Sequence, residues 1–149
     1  MALFKLIHLL AVVIWVGGMF FAYMVLRPSL AGAFKQQERL RLWDRVFSRF
    51  FKWVWLAVLL LYSSGFYMVY QHGGIGHVPS YIHLMLLLGI VMLLIYAYVF
   101  LGCYARYSLL VADKDWPNAD TLLATMRKLI AGNLALGLLT VCVAVIGRG

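Results

Sequence analysis

The sequence predicts an all-α integral membrane protein, a bundle of four transmembrane helices with both termini periplasmic. Three observations carry that fold class. The 149 residues are 65% hydrophobic and only 12% charged, with a mean hydropathy of +0.92. A soluble domain of this size cannot hide that much apolar surface. The apolar residues are also gathered into four long segments, Leu3–Leu26, Phe51–Gln71, Tyr81–Cys103 and Leu129–Ile146, near the ~20 residues that cross a hydrocarbon core. Lipid-facing backbone must bond to itself, so these segments are helices; the short alternating runs of a membrane barrel are missing. One domain over residues 1–149 is expected, with no clear internal repeat.

The first segment contains His8 and ends at Arg27-Pro28, as a membrane helix does on reaching water. Lys5, the apolar run and Ala31-Gly32-Ala33 loosely imitate a signal peptide, but the run is too long for one, so the segment is expected to stay. In the following connection Leu40, Trp43, Phe47 and Phe50 recur at helical spacing, with Arg41, Arg45 and Arg49 on another side. This reads as an amphipathic cytoplasmic helix, lying at the interface or running into the second span, and serving as a membrane-surface anchor. The second and third segments are joined by HGGIGHVPS, which has no Lys or Arg. A Gly-rich loop of this kind is expected to hold its side chains poorly. The fourth segment presents Asn133, Gly137, Thr140, Ala144 and Gly147 in one stripe, small enough for close approach of a helix or a flat ring.

Charge sets the orientation. The formal net charge is +8. The first connection holds Arg27, Lys35, Arg39, Arg41, Arg45, Arg49 and Lys52; the third holds Arg106, Lys114, Arg127 and Lys128. Positive loops stay in the cytoplasm, which places both termini and the HGGIGHVPS loop in the periplasm. The basic residues then face the anionic inner leaflet. The lipid bilayer is the expected partner, nucleic acid is not, and the location is a bacterial inner membrane, multi-pass.

All acidic residues, Glu38, Asp44, Asp113, Asp115 and Asp120, lie in the two basic connections. Without carboxylates at depth, an ion-coupled pump is disfavoured. There is no Walker loop, Ser-His-Asp set or HExxH zinc motif. The histidines are the remaining chemistry. His8, His72, His77 and His83 all collect on the periplasmic side. Two histidines on different helices at similar depth suit a cofactor inside a bundle, and haem b with His8 and His83 as axial ligands is the leading expectation. Val12, Trp15 and Met19 share the face of His8; Leu86, Leu87 and Ile90 share that of His83. Trp15 and Asn133 are expected to line the site, and Lys5 and Arg148 could pair with propionates or simply snorkel. Copper is the alternative, held by His8 and His83 with weaker help from His72 and His77. Met19, Met24, Met68, Met85 and Met92 suit Cu(I) but read as packing. Cys103 and Cys142 fall in opposite halves of the membrane, too far apart for a disulfide.

His8 followed by IWVGG at Ile14–Gly18 and then Arg27-Pro28 resembles the opening helix of the copper-resistance protein D (CopD) family. The same helix is similar to that of HemJ-type protoporphyrinogen oxidases, which are small four-helix membrane proteins. His83 matches a second histidine of that pattern, and Asn133-Leu-Ala-Leu-Gly opens the last helix as both groups do. The first resemblance implies moving or tolerating copper at the inner membrane. The second implies haem b and oxidation of protoporphyrinogen IX, but there the helix-3 histidine is followed two positions on by lysine, and here that position is Met85. The expectation is therefore a CopD-like protein binding haem b near the periplasmic face for electron transfer or oxidation, with a quinone or other redox partner and homo-oligomerisation left open. Copper handling, a HemJ-like oxidase and a structural subunit without cofactor stand as alternatives.

Overall fold

The computed structural model describes residues 1–149 and contains helices and turns only. Four helices are long and apolar enough to cross a membrane: α1 (Ala2–Ala31), α2 (Gln36–Gln71), α3 (Ser80–Ala112) and α4 (Trp116–Arg148). Each packs against its neighbours in sequence, and α4 closes the ring on α1. One end of the bundle carries both termini and the HGGIGHVPS turn, and is called here the histidine end. The other carries the turns at 32–35 and 113–115, and is called the basic end.

The helices are longer than the apolar segments. At 1.5 Å per residue, the 36 residues of α2 span about 54 Å, well beyond a hydrocarbon core of ~30 Å. The expected amphipathic segment is thus the first half of α2. Its apolar side does not anchor on a membrane surface: Leu40, Trp43 and Phe47 are buried inside the bundle. Tyrosines of α3 tie it down. Tyr107 donates its hydroxyl proton to the Leu40 carbonyl at 2.6 Å, Tyr104 to that of Asp44 at 3.5 Å, and Tyr96 to that of Phe51 at 3.1 Å. As the α3 number falls the α2 number rises, so these bonds fix an antiparallel register. Phe47, Phe51, Phe100 and Tyr104 stack or meet edge-on around them, the geometry aromatic quadrupoles favour.

Two wide π-helical turns interrupt the α-helices. In α1 the turn covers Phe21–Leu26, and the Arg27 N–H reaches back to the Ala22 carbonyl. Pro28 follows directly; its ring would crowd the carbonyl four residues earlier in a regular helix, and a wider turn relieves that. In α3 the π turn covers Tyr98–Tyr104. There the buried residues run Val99, Cys103, Tyr107, Val111, a spacing of four that drifts around a 3.6-residue helix. The wide turn keeps them in phase toward the core. Leu87, Leu94 and Leu101 of α3 are exposed, as lipid-facing residues should be.

Candidate functional site

His8 sits in α1, half-buried, against α2. Its Nδ1 lies 3.1 Å from the Leu61 carbonyl oxygen and 3.1 Å from the Ser64 hydroxyl. A carbonyl cannot donate, so Nδ1 carries the proton and Nε2 keeps its lone pair. The Ser64 hydroxyl donates in turn to the Leu60 carbonyl, which leaves its oxygen free to accept from the imidazole. The ring also needs space, and Gly65 supplies it: a Cβ there would stand 3.2 Å from His8 Cε1. The Ser64-Gly65 pair is the local signal, within an apolar helix, that sequence reading passed over.

The other three histidines repeat the arrangement at the histidine end. His72 Nδ1 donates to the Met68 carbonyl at 2.7 Å, His77 Nδ1 to that of Gly73 at 2.9 Å and His83 Nδ1 to that of Pro79 at 3.3 Å. Each bond reaches four residues back and selects the same tautomer. The loop therefore holds its side chains better than its glycines suggest. Gly73 and Gly74 take φ values of +91° and +94°, open to glycine without strain. They let the chain cap α2, with the Gly74 N–H on the Val69 carbonyl.

His83 is exposed. The core-facing stripe of α3 runs through Met92 and Tyr96; His83 is nine positions before Met92, about half a turn out of phase. Leu87 and Ile90, expected beside it, are exposed as well. No hydrogen bond joins His83 to His8, and no group of three or more His, Cys, Asp or Glu side chains is placed to hold a metal.

The remaining expected residues divide by depth. Lys5 and Arg148 are exposed at the histidine end without a carboxylate partner, since Arg39–Asp120 is the one ion pair in the structure. Trp15 is buried edge-on to Tyr96, with ring centroids 6.0 Å apart; it lies about 10 Å along the helix from His8. Trp15 and Asn133 line one small cavity of about 10 Å³ in the middle of the bundle, together with Met19 and Tyr96. Asn133 Oδ1 is buried there without a hydrogen-bond partner, and the space is about that of one water. In the Asn133 stripe, a Cβ at Gly137 would come within 2.9 Å of Val16, so the close helix contact expected of these small residues is present. Cys103 and Cys142 are both free.

A larger cavity of about 240 Å³ opens at the basic end, lined by Tyr23, Arg27, Arg39, Asp120 and Arg127 among apolar side chains. Sequence reading took its arginines as topology signals facing the anionic inner leaflet and did not gather them into one site. Neither cavity is lined by His8 or His83.

Comparison with known proteins returns one family model, copper resistance protein D, matching residues 44–146. The match takes in α3, α4 and most of α2, and leaves the helix bearing His8 outside it. No curated protein matches, and no solved structure does. The family and the four apolar helices fit a multi-pass protein of the bacterial inner membrane. With the match covering the greater part of its length, this chain belongs to the copper resistance protein D (CopD) family of membrane proteins.

Proposed function

We propose that this chain handles copper at the histidine end of the bundle, with copper as cargo and His8 as the ligand inside the helices. One observation carries the reading. Every histidine has Nδ1 committed to a backbone carbonyl and Nε2 uncommitted. Metal-binding histidines are prepared in this way, because the bond on one nitrogen fixes the ring and raises the basicity of the other. Neutral imidazole is a good copper ligand. His72, His77 and His83 are the outer imidazoles in this scheme and His8 the inner one. An ion held by one or two of them at a time is bound weakly enough to leave. The concentration of basic residues at the opposite end supports placing the histidine end in the periplasm.

Haem b between His8 and His83 draws less support. His83 is exposed and points away from the core stripe of α3, whereas His8 is turned against α2. The test is a titration of the metal-free protein in detergent with Cu(I) against a competing chelator, alongside a visible spectrum of the protein as isolated. Copper handling predicts competed binding whose affinity falls by at least about 10- to 100-fold in His8→Ala, since losing a ligand costs no less than losing the outer-shell partner that orients it. A Soret band that His8→Ala removes would put haem in its place. Neither signal would leave the reading as a structural subunit.

A further inference from the structure

The cavity at the basic end is lined by none of the four histidines, and its lining is specific. Arg27, Arg39 and Arg127 surround it from α1, α2 and α4, with Asp120 as the only carboxylate. Arg39 meets Asp120 through a single contact of 3.4 Å. Arg27 has no carboxylate partner and lies over the Tyr23 ring, 4.4 Å from its centroid, which leaves the guanidinium edge free to donate. Arg127 has no carboxylate partner either. The floor is apolar, from Trp43, Phe47 and Ile130. A second observation marks the same place: the π turn at Phe21–Leu26 carries Ala22 and Tyr23 and sets the phase of Arg27, all of which line the cavity. Such turns are frequent at functional sites.

We propose that this cavity binds the phosphate headgroup of an anionic phospholipid, with the start of its acyl chains against Trp43, Phe47 and Ile130. Guanidinium forks match phosphate oxygens in pairs. A positive pocket between transmembrane helices at the headgroup level suits a lipid phosphate. A free phosphate shares the charge, but it would have no use for the apolar floor.

The test uses the full-length, metal-free chain extracted in mild detergent. Native mass spectrometry counts retained phospholipid, and thermal unfolding is followed on adding phosphatidylglycerol, phosphatidylcholine or inorganic phosphate. The expected result is retention of an anionic lipid and a rise in unfolding temperature with phosphatidylglycerol alone. Arg127→Gln and Arg27→Gln should each weaken phosphatidylglycerol binding about fivefold, the equivalent of ~1 kcal/mol per basic residue. Arg106→Gln, outside the cavity, should not. If Arg27→Gln fails to fold, Ala124→Leu provides a charge-neutral block of the same space and should also displace the lipid. Equal stabilisation by phosphatidylcholine overturns the proposal, as does undiminished phosphatidylglycerol binding in the variants. A full shift with inorganic phosphate alone overturns it in favour of a soluble anion.

Discussion

Gly65→Ala separates the role of His8 from simple stability. The added methyl would stand 3.2 Å from His8 Cε1 and 3.6 Å from Nδ1, where carbon atoms prefer about 3.5–4.0 Å. The ring has to withdraw by a few tenths of an ångström. Its two Nδ1 contacts share one N–H and are already 3.1 Å long, and that shift stretches both to the weak end of the hydrogen-bond range. Weakening this one shared donor costs up to roughly 0.5–1.5 kcal/mol. Replacing a mid-helix glycine by alanine returns roughly 0.8–1 kcal/mol of helix propensity. The two nearly cancel, so thermal unfolding in detergent should hardly change. Copper affinity should fall about 10- to 100-fold, because the tautomer and direction of Nε2 are no longer fixed. Gly17 has nothing within 4 Å of its virtual Cβ, so Gly17→Ala serves as the control, with wild-type copper binding and unchanged or raised stability. Wild-type copper affinity in Gly65→Ala would refute the reasoning.

Three further outcomes follow from the packing and the topology. Tyr107→Phe removes the fully buried hydroxyl that holds α3 to the Leu40 carbonyl and should cost about 1 kcal/mol, read as a lower unfolding temperature; an unchanged transition would show the bond contributes nothing. Gly137→Val pushes a side chain into Val16 and Met92 and should destabilise by about 1–3 kcal/mol through overpacking, which the same unfolding measurement checks. Cysteines placed at Ser80 and Gln37 in a background without Cys103 and Cys142 should differ toward an impermeant thiol reagent in intact cells. Labelling at Ser80 only is expected, and labelling at Gln37 only would invert the orientation.

Much of this architecture is legible in the chain, because four long apolar segments in a 149-residue protein leave few alternatives. The ends of the helices are less so. The Leu40, Trp43, Phe47 pattern is the same whether it rests on lipid or on another helix; only α3, reaching out with Tyr104 and Tyr107, decides it. The direction of His83 illustrates a second limit. α3 is apolar on every side, so its hydropathy pattern cannot say which face meets the bundle. Once the stripe of Met92 and Tyr96 is known, helical phase alone turns His83 outward. His8 stands out in the sequence as a polar residue in a greasy helix, whereas its partners Leu61, Ser64 and Gly65 depend on how α1 lies against α2. The π turns have no clear mark except Pro28, so the arginine cavity that one of them helps to shape is invisible before the helices are assembled.

The central claim is that copper is taken by imidazole nitrogen at the histidine end. X-ray absorption at the copper edge of the copper-loaded protein measures it directly. The account predicts nitrogen ligands with the multiple-scattering signature of imidazole, lost or clearly reduced in His8→Ala. Coordination by sulfur alone, or an imidazole signature untouched by His8→Ala, would contradict it.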